Sequence, residues 1–505
     1  MRIRSLIATS GALLALAVGS TVAEGPNKPK YSADVPSSIK TPDTVPTRIG
    51  PLRFKDGAPD KKTAELVYDQ LDLSRGIEAF MQGVPATSVY TACHGISDVG
   101  VKENQAFGIT EDLMDARSLF LTPNTTTVYI FTCLNLNAGP MVLEAPPGVL
   151  GPVDDAYFRW VTDVGLTGPD QGKGGKYLFV PPDYTGDLPS EGYYVAKPST
   201  NRLLIFFRAF VENGDIAAAV RGAKAGARLY PLSAAKNPPE TLFVNTSGKK
   251  FNTISANTFD FYKELDAAVQ NEPADFVTPE TVGLFASIGI RKGQPFAPDA
   301  RMKGILTDAV AIGNGAARAL LWAPRDPRTR LYPDRMWQTG FVGNSYLFAD
   351  GAERLLDART MFLYYATGIT PAMANAKPGT GSAYAAAFLD SKQRPLDGGK
   401  TYKVTLRGPV PAKQFWSFTA YDNQTRSLLE TDQKTAGLDS HAPGLKANPD
   451  GSYTVWFAPS APKGEENNWV QTRPGKGFNV LLRLYAPLEP WFDKSWKPGD
   501  FERVN

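Results

Sequence analysis

Two distant stretches of this chain carry the same order of short aromatic and β-branched segments, and no other feature restricts its fold as strongly. Residues 127–136, 141–145, 156–164, 176–180 and 202–210 are rich in Val, Ile, Thr, Phe and Tyr and are separated by Gly, Pro and Asp, the composition of strands joined by tight turns. Residues 402–407, 415–421, 452–457 and 478–485 repeat that character. Gly151-Pro152-Val153 leads into Tyr157-Phe158-Arg159-Trp160-Val161-Thr162-Asp163, as Gly408-Pro409-Val410 leads into Phe415-Trp416-Ser417-Phe418-Thr419-Ala420-Tyr421-Asp422. Tyr177 precedes Arg208 by 31 residues, and Tyr453 precedes Arg483 by 30. Landmarks that keep order and spacing point to a duplication. The expected fold is mainly β with α: two jelly-roll-like β-sandwich domains joined by a helical segment.

Between about 215 and 370 the apolar period changes. Residues 216–229, 259–269, 302–321 and 351–366 have helical spacing, with apolar side chains recurring every three to four positions. In the last of these, Asp350 and Glu353 would form a capping box and Gly368 a left-handed stop. Residues 61–82 read as one or two short helices ending before Gly83 and Pro85. The expected layout is a signal segment at 1–23, an extended lead-in at 24–60, an N-terminal sandwich at 61–235, a mostly helical link at 236–380 and a C-terminal sandwich at 381–505.

The front end has the order of a cleavable export signal. Arg2 and Arg4 are followed by an apolar stretch over 6–18 and by the small residues around Thr21-Val22-Ala23. A periplasmic or secreted location is therefore expected, with no membrane span, because no stretch reaches the ~20 apolar residues a span needs. Without Arg2 and Arg4 the chain carries 52 basic against 51 acidic residues, a balance that offers nothing to nucleic acid. In an oxidising compartment Cys93 and Cys133 could pair or remain two buried thiols. Only His94 and His441 are present, so a His-rich metal centre is excluded, and no metal or cofactor is expected.

The motifs resemble a bacterial exported family with paired domains of unknown function numbered twelve fifty-four (N-terminal) and twelve fourteen (C-terminal). The resemblance lies in Thr122-Pro123-Asn124-Thr125-Thr126-Thr127-Val128-Tyr129, Trp160-Val161-Thr162-Asp163 and Gly175-Lys176-Tyr177-Leu178-Phe179-Val180, then in Phe415-Trp416-Ser417-Phe418-Thr419, Asn468-Trp469, Leu482-Arg483-Leu484-Tyr485 and Trp496-Lys497-Pro498. It implies paired jelly-roll-like domains with helices between them and no settled activity. Where that family has Asn-Thr-Asp-Thr, this chain has Asn124-Thr125-Thr126-Thr127, which removes an acid from that position.

Charged residues inside apolar strands are the sharpest chemical signal, since a buried charge needs a partner. Arg208 and Arg483 are such residues, and Asp163 and Asp422 are the expected carboxylate partners unless a ligand takes that role. Asp163, Arg208 and Tyr129 are the candidate catalytic groups. Asn124, Thr126, Trp160, Trp416 and Arg483 are the candidate binding groups, because amides, hydroxyls and indole faces suit sugar-like molecules. The expectation is a hydrolase or lyase acting on a carbohydrate or other hydroxyl-rich compound. The alternative is a non-catalytic ligand-binding or envelope-associated protein. In either case the partner is a small molecule or carbohydrate, and assembly into oligomers is open.

Overall fold

The computed structural model describes residues 30–504; the expected signal at 1–23 and residues 24–29 of the expected lead-in lie outside the described residues. The chain divides into two compact units, one ending at Tyr68 and one beginning at Asp69. In the first, Thr44–Thr47, Gly50–Lys55 and Ala58–Pro59 form an antiparallel meander. The lead-in therefore has a small sheet of its own, turned back by Gly50 and Gly57 at φ 119° and 81°, backbone that glycine adopts without steric cost. Asp60 Oδ1 accepts from Thr63 N at 2.7 Å, satisfying a free amide at the start of helix α1, Lys61–Asp98.

Helix α1 runs straight through Gly83 and Pro85 instead of stopping before them. A Cβ on Gly83 would lie 3.0 Å from Leu265 Cδ2, and one on Gly76 would lie 2.7 Å from Ala309 Cβ. These glycines let two other helices, Asp260–Asn271 and Ala300–Trp322, approach α1 closely. Ala79, Phe80, Val84, Ala86 and Val89 are buried. Packing on this scale outweighs the missing Pro85 amide and the local stop signal.

The helix expected from 351 starts later, at Leu356–Tyr365. Asp350 and Glu353 do not form a capping box; they face each other across a hairpin, Ala349–Asp350 against Glu353–Arg354. The Asp350 carboxylate is taken by Arg328 at 2.8 Å. Gly368 does adopt the left-handed backbone, at φ 92°.

The β elements are open sheets. In the first half they are β1 (Thr127–Asn135), β2 (Met141–Ala145), β3 (Leu150–Asp155), β4 (Trp160–Gly165), β5 (Gly175–Phe179), β6 (Tyr194–Ala196) and β7 (Arg202–Phe210). In the second they are β8 (Ser382–Ala387), β9 (Tyr402–Leu406), β10 (Ala412–Asp422), β11 (Gly437–Asp439), β12 (Tyr453–Ala458), β13 (Trp469–Gln471) and β14 (Phe478–Pro487). One six-stranded sheet contains the run β1-β7-β3-β4 and its four-stranded counterpart is β8-β14-β10-β11; another sheet contains the run β6-β5-β2 and its counterpart the run β13-β12-β9. Even the parallel pairs match, β5 with β6 and β12 with β13. Seven strands thus recur in the same connection order and the same sheet positions.

Register makes the correspondence residue by residue. Arg208 lies opposite Tyr129 on one side and Leu150 on the other. Arg483 lies opposite Tyr384 and Ser417. Leu203 then pairs with Asp155, as Phe478 pairs with Asp422. The counterpart of Asp422 is therefore Asp155, not Asp163, and the strand expected at 156–164 is broken by a turn between β3 and β4. Both aspartates hold such a turn: Asp155 Oδ1 accepts from Tyr157 N and Arg159 N at 2.8 and 2.9 Å, and Asp422 Oδ1 from Gln424 N and Thr425 N at 2.7 and 3.0 Å.

Strand alternation decides which side chains can reach a site. Leu203, Ile205 and Phe207 enter the core of the first half with Val128, Ile130, Val153 and Tyr177. Leu204 and Phe206 join the other apolar cluster, with α1 and the second half, and Arg208 shares their face. Cys93 on α1 and Cys133 on β1 form a disulfide. No helix among the described residues is long and apolar enough to cross a membrane.

Candidate functional site

The outward faces of the two duplicated sheets meet at a cavity of about 410 Å³. Tyr129, Leu150, Phe206 and Arg208 come from the first half, and Ser382, Tyr384, Leu481 and Arg483 from the second. Phe341, Met361 and Phe362 close it from the helical segment. The size falls within the roughly 300–1,000 Å³ of small-molecule sites, as does the pattern of apolar walls with few polar groups.

Arg483 is 3 % exposed. Its Nη2 donates to Tyr421 Oη at 2.7 Å and to Thr122 O at 2.8 Å, and its Nη1 donates to Thr419 Oγ1 at 3.0 Å. Burial pushes its pKa down, but the surrounding Tyr421, Tyr485, Tyr129 and Tyr384 hydroxyls more than offset this and the value is raised. Arg208 behaves alike: burial opposes its charge, Tyr384, Tyr129 and Tyr485 restore it, and the net shift is upward. Two guanidiniums thus stay charged in an apolar setting lined by phenols, and no carboxylate is among the largest influences on either.

The expected pairing with aspartate does not occur. Asp163 lines the same cavity, but its Oδ1 accepts from Trp160 Nε1 at 2.9 Å and its Oδ2 from Thr370 Oγ1 at 2.8 Å. Asp422 instead meets Lys476 at 3.0 Å. Burial raises the pKa of Asp163, its hydrogen bonds only partly opposing the shift. Asp154 behind it is raised further for the same first reason. Ile369 N donates to Asp154 at 3.0 Å, so the 366–370 loop is seated on both acids.

Asn124 is a positioning residue. Its Oδ1 accepts from Thr126 N, Thr127 N and Thr127 Oγ1 at 3.0, 3.0 and 2.9 Å, while its Nδ2 donates to Tyr129 Oη at 2.9 Å. This short turn orients the Tyr129 hydroxyl beside the arginines. The second half grips the same motif, since Tyr421 Oη donates to Pro123 O at 2.7 Å. Thr126 Oγ1 lies 3.5 Å from Tyr485 Oη.

Of the residues singled out from the sequence, Tyr129, Asp163, Arg208 and Arg483 share this cavity. Asn124 and Thr126 support it from behind. Trp160 lines a second cleft instead, while its indole N–H donates to Asp163. Trp416 is a core residue, edge-on to Phe418 and Tyr453 at 5.9 and 5.4 Å. Sequence reasoning missed Tyr384, Tyr421, Tyr485 and Gln338. Tyr384 could have been found by matching strand β8 to β1. Gln338 carries no such signal: it is 2 % exposed, lines the cavity, and neither its Nε2 nor its Oε1 has a partner. Among the described residues no group of His, Cys, Asp and Glu could hold a metal ion.

Residues 104–231 match the family model described as protein of unknown function (DUF1254), and residues 381–489 match protein of unknown function (DUF1214). The structure is similar to that of the VPA0106 protein from Vibrio parahaemolyticus, with a TM-score of 0.53 at 17 % identity, covering 86 % of this chain and 100 % of that one. An uncharacterised protein from Burkholderia cenocepacia aligns with a TM-score of 0.41 at 12 % identity over 87 % of this chain and 96 % of the other. The first likeness is one of fold. No curated protein matches the chain.

Proposed function

We propose that this chain, which carries a DUF1254 domain followed by a DUF1214 domain, binds a small organic anion with an apolar body. The supporting observation is the Arg208–Arg483 pair: two charged guanidiniums at one cavity, with no carboxylate among the largest influences on them. Two like charges in an apolar wall are costly without a counter-charge. A carboxylate ligand supplies one and accepts the forked donors that arginine presents. The unpartnered Gln338 amide adds a donor and an acceptor, and Phe206, Phe341, Met361 and Phe362 suit an alkyl or aryl tail. Lys494 and Arg330 line the same cavity and would favour entry of an anion.

Asp163 supports a second, catalytic reading. A carboxyl whose pKa burial raises, in the cavity that holds the ligand, is placed to donate a proton as a general acid in a hydrolase or lyase. The order of residues 1–23 supports a periplasmic or secreted setting for either role. The matching strand connectivity of the two halves supports reading each as a jelly-roll-like sandwich.

Calorimetric titration with medium-chain and aryl carboxylates, each beside the alcohol of the same skeleton, tests the binding reading. Carboxylates should bind and alcohols should not. Equal affinity for both would remove the role given to the arginines.

A further inference from the structure

On the far side of the β3–β4 turn a separate cleft of about 1300 Å³ carries a second group of arginines. The turn that Asp155 holds places Arg159 beside the ring of Tyr157, with its Cζ 5.9 Å from the ring centre. Helix Leu356–Tyr365 brings Arg359 to the same ring, at 5.6 Å. The hairpin strand Glu353–Arg354 adds Arg354 to the cleft wall. Three guanidiniums from three elements therefore converge on one phenol.

Their hydrogen bonding is incomplete. Arg159 Nε donates to Asp155 Oδ2 at 2.7 Å, but its Nη2 is buried without a partner. Arg359 Nη2 donates to Gln82 Oε1, but its Nε is likewise buried and unpartnered. Burial comes first in lowering the pKa of Arg354, followed by Arg359, with Tyr157 opposing and Arg159 adding to the shift. Buried N–H groups without acceptors are rare in folded proteins, and each costs about 1–3 kcal/mol. The cleft's other carboxylates do not supply the acceptors: Glu78 is bonded to Gln82 at 2.6 Å, and Glu280 lies on the first turn of a different helix, Pro279–Ser287. The remaining walls are aromatic, with Trp160, Tyr194 and Tyr346.

We propose that this cleft is a second ligand site, taking a phosphate or sulfate monoester whose acidic head sits among Arg159, Arg354 and Arg359 and whose ring lies along Trp160, Tyr194 and Tyr346. A tetrahedral oxyanion with three free oxygens matches three separate donors from three directions, whereas a planar carboxylate matches one fork. The volume leaves room for an organic body beyond the head. This site is independent of the Arg208–Arg483 cavity and stands or falls without it.

Inorganic phosphate, inorganic sulfate and phenyl phosphate are the probes, each titrated into the full chain at low ionic strength by calorimetry. All three should bind, phenyl phosphate more tightly than inorganic phosphate. Arg354→Ala, on an exposed hairpin where folding is undisturbed, should weaken phenyl phosphate by about tenfold or more. Arg221→Ala, on the exposed face of helix Ile216–Gly226 and outside both cavities, should leave it unchanged. Absence of phosphate and sulfate binding at millimolar concentration overturns the proposal. So does an Arg354→Ala protein, folded by circular dichroism, that binds phenyl phosphate as the parent does.

Discussion

Arg208 and Arg483 occupy the same register position in two repeats, one opposite Tyr129 and the other opposite Tyr384. Their surroundings differ in one respect. Arg483 has three hydrogen-bond acceptors at 2.7–3.0 Å, whereas Arg208 has the phenols of Tyr384, Tyr129 and Tyr485 around it and a side-chain hydrogen bond to Tyr384 alone among them. Duplication has thus produced one structural and one available arginine at a single cavity.

That difference predicts opposite behaviour on substitution. Arg208→Leu removes one of two like charges together with its hydrogen bond to Tyr384, so stability should change by no more than about 1 kcal/mol while carboxylate binding is lost. Arg483→Ala strands Thr122 O and the Tyr421 hydroxyl and leaves a hole, and should cost about 2–4 kcal/mol. Urea unfolding beside calorimetric titration measures both effects.

Gly368→Ala should be among the most damaging single changes. A Cβ there would lie 2.1 Å from Phe206 Cζ, and the backbone φ is 92°, so steric clash and strain combine to about 2–4 kcal/mol. The loop also carries the donors to Asp154 and Asp163. Thermal unfolding should show a clear drop, and an unchanged melting temperature would refute the placement of this loop.

Glu272 imposes a pH dependence. Its carboxyl is 1 % exposed, accepts from Asn201 N at 2.6 Å, and is pushed by burial from an ordinary 4.5 up to about 7. The folded state holds this proton more tightly than the unfolded state. Its contribution is therefore complete below pH 4.5 and declines as pH rises through about 7, by about 3 kcal/mol in all. Glu264, also raised by burial to about 7, acts in the same direction. Urea unfolding across this window should show Glu272→Gln with a shallower decline than the parent.

Reducing the Cys93–Cys133 bond should destabilise the chain by about 4 kcal/mol, the chain-entropy value for its separation of 40 residues. Denaturation midpoints with and without reductant give the measurement; identical midpoints would show that the unfolded state is not restrained by the link.

The strands of both halves and the long helices were readable because alternation and helical period are local properties. β2 and β7 coincide with the expected 141–145 and 202–210. The misreadings have one cause, a local signal outweighed by distant contacts. Gly83 and Pro85 read as a stop, yet Leu265 and Phe261 pack against that stretch of α1. Asp350 and Glu353 read as a cap, yet Arg328 draws Asp350 into a hairpin. Tyr157 to Asp163 read as the partner of Phe415 to Asp422, but only hydrogen-bond register shows that Asp155 holds that place.

By itself the sequence determined the repeat, the strand character and the presence of two arginines where apolar residues belong, since composition and spacing are written along the chain. Tertiary structure alone decided what those arginines face. A site assembled from Thr122, Gln338, Tyr384 and Tyr421 brings together positions far apart in sequence, and which groups neutralise a buried charge depends on distance in space. The same holds for Asp163, whose identity as an acid is plain in the sequence while burial raises its pKa against the opposing hydrogen bonds of Thr370 and Trp160.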